Sequence, residues 1–151
     1  MGSTILRFIL QSKPLRNRTA TPLALPLPWA NSIGAPHRII FGGDFNCPLN
    51  PSLDKMGRLL MTRKKTVDQI GNIQNIFNVH EIWRIKHPNQ KSFTWSQKSP
   101  FIFYRLDYWL ISDSLYDMVG NVDIVSAIKT AHSATTLQLH KIEEGSKGPG
   151  L

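Results

Sequence analysis

The run Arg38 to Phe41 passes directly into Gly42-Gly43-Asp44-Phe45-Asn46 and is closed by Cys47-Pro48. No other stretch restricts the fold so strongly. A short apolar run ending in glycine and turn formers predicts a buried strand that opens into a loop. Side chains alternate along extended chain, so Asp44 and Asn46 project to one side while Phe45 turns back towards the core. Two oxygen-bearing groups then share one small volume. The paired glycines remove side chains that would hold off another backbone or a phosphate, which suits a crowded site at the carboxyl end of a strand. A carboxylate can orient and deprotonate an attacking water, and an amide can hold a hard cation or a scissile phosphate without adding negative charge. A plain strand-to-turn junction is the competing reading, because Gly, Asp, Asn and Pro all form turns.

Downstream, Val67, Ile70, Ile73 and Phe77 recur at helical spacing and predict an amphipathic helix over Thr66 to Phe77 that covers a sheet face. A short helical turn follows from Glu81 to Lys86, ended by His87-Pro88; His87 is read as fixing that turn rather than binding metal. Lys91 to Gln97 and Phe101 to Ser112 read as two strands joined by Lys98-Ser99-Pro100. In the second, Leu106, Tyr108 and Leu110 point one way, and Arg105, Asp107, Trp109 and Ile111 the other. Asp107 is the anomaly: a carboxylate in an apolar strand must be paired, hydrogen-bonded or facing a cleft. A salt bridge to a nearby arginine is the bland account of it. Ser112-Asp113 is expected to cap a short helix through Val119 that stops at Gly120. Val122 to Val125 and Ala134 to Leu139 are the last expected strands.

The 151 residues carry a formal net charge of +8, which favours a polyanionic partner such as nucleic acid, with a merely solvated basic surface as the competing reading. The single cysteine, Cys47, excludes an intrachain disulfide and a cysteine-rich zinc cluster and fits a reducing, intracellular compartment. Pro22, Pro26 and Pro28 interrupt the only apolar stretch that resembles a membrane span, so no membrane partner is expected. From Asn50 to Lys65 a loop gathers Lys55, Arg58, Arg63, Lys64 and Lys65; it reads as a phosphate-backbone contact or as ordinary solvated charge.

Five motifs now stand in order: GGDFN, then Ile82-Trp83-Arg84 with His87-Pro88, then Phe93-Thr94-Trp95, then Arg105-Leu106-Asp107-Tyr108-Trp109, then Ala131-His132-Ser133. Over roughly Arg38 to Leu139 this series resembles the endonuclease/exonuclease/phosphatase superfamily, and within it the C-terminal half of the apurinic-type endonuclease domains of LINE-type, non-LTR retrotransposons. An ordered series is far more specific than any one motif. The resemblance implies an α/β fold: a partial sandwich with one mixed sheet and helices on one face. It implies magnesium-dependent cleavage of DNA phosphodiesters, in the nucleus where the protein functions. It places Asp44, Asn46 and His132 in catalytic roles, Thr94, Arg105 and Asp107 in substrate binding, and Asp44 with Asn46 as magnesium ligands.

The chain departs from that pattern in two places. The family's last motif is usually Asp-His, and here the aspartate position is Ala131, so the imidazole of His132 is expected to lose the partner that fixes its tautomer. The family also draws a metal-binding glutamate from its N-terminal half, whereas no acidic residue precedes Asp44 and no glutamate precedes Glu81. Residues 1–37 do not resemble the family and carry five of the ten prolines; they read as an extended, disordered lead-in, and 140–151 as a disordered tail. The resulting expectation is a truncated, inactive endonuclease with a weakened metal site, able to associate through an exposed sheet face. A basic nucleic-acid-binding fragment without catalysis is the alternative. A phosphatase or phosphodiesterase of the same superfamily is a third.

Overall fold

The computed structural model describes residues 5–10, 38–57, 64–126 and 131–140, the first of these by backbone alone. The chain order is β1 (Ile5–Leu10), β2 (Ile40–Asp44), α1 (Pro51–Asp54), β3 (Lys55–Met56), α2 (Lys64–Phe77), β4 (Val79–Glu81), α3 (Ile82–Lys86), β5 (Trp95–Lys98), β6 (Phe101–Tyr104), β7 (Asp107–Ser112), a 3-10 helix (Asp113–Met118), β8 (Val119–Val125) and β9 (Ala134–His140). The α/β class expected from the sequence is what the structure has. The strands form three antiparallel sheets rather than one mixed sheet, ordered β1-β9-β8, β2-β7-β4 and β3-β6-β5.

The reason lies at Arg105-Leu106. The sequence reads Phe101 to Ser112 as one strand, but the Arg105 N–H leaves the ladder for the Asp54 carbonyl and the Leu106 N–H for the Thr94 hydroxyl. The strand therefore breaks into β6 and β7, which serve different sheets. From there β7 runs between β2 and β4 with all six residues buried. Alternation divides its side chains: Trp109 and Ile111 meet Val119, Val122, Leu137 and Leu139 of β8 and β9, while Tyr108 and Leu110 meet Ile70 and Phe77 of α2. Helix α2 follows the expected apolar stripe and starts two residues earlier than expected. Helix α3 sends Ile82 and Trp83 to the opposite cluster, so helices flank β7 on both sides.

The sheet face expected to lie open is covered, because Trp109 and Ile111 on one sheet bury Leu137 and Leu139 on the other. Burying apolar side chains of this kind contributes about 1.5–3 kcal/mol each. On the outer side of β8, Asn121 and Asp123 are exposed, as a solvated sheet face requires.

Ile5–Leu10, inside the segment expected to be a disordered lead-in, is a strand. It pairs antiparallel with β9 from Ile5 opposite His140 to Leu10 opposite Thr135. Ser112 occupies the N-cap of the 3-10 helix without the expected side-chain cap; its hydroxyl accepts the Ile39 N–H at 3.0 Å instead. Gly120 does not stop a helix but lies within β8, where any Cβ would press on the His140 ring. His87 does fix a turn, with its ring 4.0 Å from that of Trp83 and its N–H on the Trp83 carbonyl. The remainder of 1–37, the C-terminal tail, and Arg58 and Arg63 of the basic loop lie outside the described residues.

Candidate active site

Asp44 is the last residue of β2 and stands opposite Asp107, the first of β7. Two neighbours of that pair shape the ladder. Gly42 faces Trp109 so closely that any Cβ would run into the indole ring, so only glycine lets β2 lie flat here. Beyond Asp44 the chain turns at once: the Phe45 N–H still reaches the Leu106 carbonyl at 2.9 Å, and Asn46 takes φ of 51°. Asparagine tolerates that left-handed conformation better than most residues. Its N–H donates to Asp44 Oδ1 at 2.9 Å, closing an Asx-type turn around the carboxylate.

Thr94 sets the depth of Asp107. It is fully buried, and its Oγ1 accepts the N–H of Leu106 at 2.9 Å and of Asp107 at 3.1 Å. The substrate contact expected of Thr94 is thus replaced by a structural one: its hydroxyl holds the break that starts β7. His132 arrives from the other direction through a single bridge to Trp95, flanked by the Ser96 N–H on the Ala131 carbonyl and the Ser133 N–H on the Thr94 carbonyl. These backbone anchors, the Ala131 carbonyl among them, fix the ring's approach without a polar side chain at position 131.

Asp44, Asp107 and His132 each offer an atom within 4.8 Å of the other two. His132 Nδ1 lies 3.6 Å from Asp107 Oδ2. Asp107 thus faces the His132 ring from β7, while Ala131 contributes no side-chain acceptor. Burial pushes the Asp44 carboxyl above its usual range; the Asn46 N–H pulls it back, the nearby Asp107 raises it further and His132 opposes that rise. A half-buried carboxylate with elevated basicity beside an imidazole can accept a proton from a water or hold a cation.

Arg105 does not join this cluster. Its side chain is 1% exposed, with Nε 2.9 Å from Asp54 Oδ1 and Nη2 2.9 Å from Glu81 Oε2. The residue expected to bind substrate is thus buried between two carboxylates. Burial works against its charge, but Glu81 and Asp54 outweigh the effect and hold its pKa above the usual value. Arg84 adds a second guanidinium to Asp54, and its Nη1 reaches the carbonyls of His87 and Gln90 at 2.9 Å each. Glu81 also caps α3, accepting the N–H groups of Trp83 and Arg84. Burial raises the Glu81 pKa despite these partners.

Asp54, Glu81 and Arg84 escape sequence reasoning because their partners are distant: Arg105 lies 51 residues from Asp54, and Arg84 lies 30. One local signal was readable, the Asn50-Pro51 pair that opens α1 with Asn50 as its N-cap.

The carboxylates of Asp44 and Asp107 suit the magnesium that the family resemblance implies, but the third donor does not. Magnesium takes oxygen ligands in near-octahedral array, and here an imidazole nitrogen fills the third place.

No family model matches the chain, and no curated protein matches it. Solved structures do match. The AP endonuclease LMAP from Leishmania major superposes with a TM-score of 0.57 at 18% identity, over 68% of this chain and 35% of that one. The chain shares its fold with that enzyme. The 3'-5' exonuclease NExo from Neisseria meningitidis gives a TM-score of 0.59 at 14% identity, and the 3' phosphatase NExo bound to a product DNA hairpin gives 0.55 at 13%. Each of these two is matched over 73% of this chain and 48% of the other. The chain thus spans a third to a half of the length of the structures it resembles. Among the described residues no helix is long and apolar enough to cross a membrane.

Proposed function

We propose that this chain carries the C-terminal part of a DNA endonuclease of the LINE-type retrotransposon group, and that as it stands it binds nucleic acid while cleaving little or none of it. The observation that carries the reading is the convergence of Asp44, Asp107 and His132 from three separate elements onto one edge of the domain. The superposed structures, whose names describe DNA-processing enzymes, support a phosphodiester substrate. The site retains a base in Asp44, an imidazole aimed by Asp107, and a turn at Asn46 that presents the carboxylate. Within the 151 residues no glutamate precedes Glu81. The charge of +8 favours the nucleic-acid part of the proposal.

The test is a pair of assays on one preparation. Affinity for a short DNA duplex should fall steeply between about 50 and 200 mM salt, with a log-log slope near −3 if Lys55, Lys64 and Lys65 each displace roughly one counterion. Nicking of supercoiled plasmid should stay at background. A flat salt dependence would point to a partner that is not a polyanion. Robust nicking abolished by Asp44→Ala would show that this part of the fold cleaves on its own.

A further inference from the structure

We infer that the cavity bordered by α1, α2, β4 and α3 is a binding site for a single nucleobase bearing an exocyclic carbonyl oxygen. The inference rests on the proposed binding of nucleic acid and deepens it by naming a second contact. The cavity measures about 300 Å³, the lower end of the roughly 300–1,000 Å³ of small-molecule sites. Of the described residues that line it, none is Asp44, Asp107 or His132.

What the cavity offers is donors. Arg84 and Arg105 both line it, and Arg105 is only 1% exposed. Arg105 Nη1 and Arg84 Nε are buried atoms that no acceptor among the described residues meets. Their other nitrogens are engaged: Arg105 Nε and Nη2 on Asp54 and Glu81, Arg84 Nη2 on Asp54, and Arg84 Nη1 on the carbonyls of His87 and Gln90. The carboxylates are engaged too. Asp54 takes the Asn50 N–H on Oδ2 and Arg105 on Oδ1, while Glu81 takes the N–H groups of Trp83 and Arg84 on its two oxygens. A buried donor without an acceptor is costly, so the network favours an incoming oxygen over an incoming N–H.

Charge and lining narrow the class. The two guanidinium groups are balanced by the carboxylates of Asp54 and Glu81, so a phosphate brought here would lose its hydration against two like charges. Leu49 and Ile85 add apolar wall, and Gln74 adds an amide that can donate or accept. A flat, uncharged ring with a carbonyl at its edge meets all of these conditions. Thymine, uracil and guanine carry an oxygen acceptor where cytosine and adenine carry an amino donor, and an amino group would confront the guanidinium N–H groups.

The experiment uses the full chain and adds uridine, cytidine and inorganic phosphate singly, followed by nitrogen-proton NMR. Uridine should bind one per chain in the roughly millimolar range of a small, weakly held ligand. It should shift the Arg84 Nε–H resonance and the amides of β4 and α3, leaving those of Asp44 and Asn46 in place. Cytidine should bind at least about tenfold more weakly, and phosphate should not compete. Ile85 is 48% exposed, so Ile85→Trp should keep the fold by circular dichroism while blocking the cavity and weakening uridine at least about tenfold. Arg84→Lys keeps the charge without Nε–H and should bring uridine down to the affinity of cytidine; should it not fold, Ile85→Trp carries the test. Absence of uridine binding, equal affinity for cytidine, competition by phosphate, uridine binding unchanged in Ile85→Trp, or shifts centred on Asp44 and His132 would each overturn the inference. A single-stranded oligothymidylate that displaces uridine assigns the base to a strand, and one that does not assigns it to a free nucleoside; both support the base site. Ile85→Trp should leave the salt dependence of duplex binding unchanged, so the proposed function fails or stands separately.

Discussion

Replacing Thr94 by valine keeps the shape of the side chain and removes its oxygen, which makes it the sharpest probe of how the site is held. Oγ1 accepts two backbone donors, from Leu106 and Asp107, and Thr94 has no exposed surface through which water could substitute. Each buried donor left without a partner costs about 1–3 kcal/mol, with Leu106 at the lower end because it is half-buried. The more apolar side chain returns about 1 kcal/mol at most. The net loss is about 2–3 kcal/mol out of a total stability of roughly 5–15 kcal/mol. Urea unfolding followed by circular dichroism reads it directly: with a slope of about 1–3 kcal/mol per molar, the midpoint should fall by about 1–2 M at unchanged slope. Thr94→Ser retains the acceptor and loses only a methyl, so its midpoint should fall by less than half as much. Hydrogen exchange at Leu106 and Asp107 should accelerate in the valine variant alone. If valine is no worse than serine, the two hydrogen bonds do not hold the β6–β7 break, and the account of how Asp107 is positioned is wrong.

Asp54→Asn should destabilise by about 3–5 kcal/mol in the same assay, because it leaves the buried Arg105 with Glu81 as its one carboxylate and takes the carboxylate from Arg84. Asp44→Asn should stabilise the protein at neutral pH. The folded pKa of Asp44 lies above the unfolded value, so the folded state gains relative stability as pH falls through that raised pKa, and the advantage of asparagine should vanish below about pH 3.9. Thermal melts of both proteins across that range check the sign. Ala131→Asp, at an exposed position, should change stability by less than about 0.5 kcal/mol and leave plasmid nicking at background, since Asp107 already faces the His132 ring.

Much of the fold could be read because the deciding signals are local. Val67, Ile70, Ile73 and Phe77 announce α2 by spacing alone, and the alternation of Tyr108 to Ile111 assigns each face of β7 correctly. Asp44 and Asp107 each stood out as a carboxylate beside an apolar run, and the structure sets them opposite one another. What escaped was set by contacts remote in sequence. Nothing local marks the break at Arg105-Leu106, because its cause is a threonine hydroxyl twelve and thirteen residues upstream of the N–H groups it accepts, together with the Asp54 carbonyl. Arg105 looks like a substrate ligand by motif and becomes part of the interior only once Asp54 and Glu81 are folded around it. Ala131 offers His132 no side-chain acceptor, and the carboxylate that does face the ring comes from β7, 25 residues away in sequence (132 − 107).

The pairing of β1 with β9 has a consequence in time. Ile5 is made 135 residues before His140 (140 − 5), and its place opposite His140 does not exist until those residues have followed. At about 5–20 residues per second the strand waits roughly 7–27 s, long compared with the microseconds in which a hairpin closes. During that interval Ile5-Leu6-Arg7-Phe8-Ile9-Leu10 is a six-residue apolar segment with one charge and no proline, the composition that pairs with other copies of itself. Newly made chains should therefore be most vulnerable to aggregation at their first strand, and a chaperone that shields it need act only until the last one arrives.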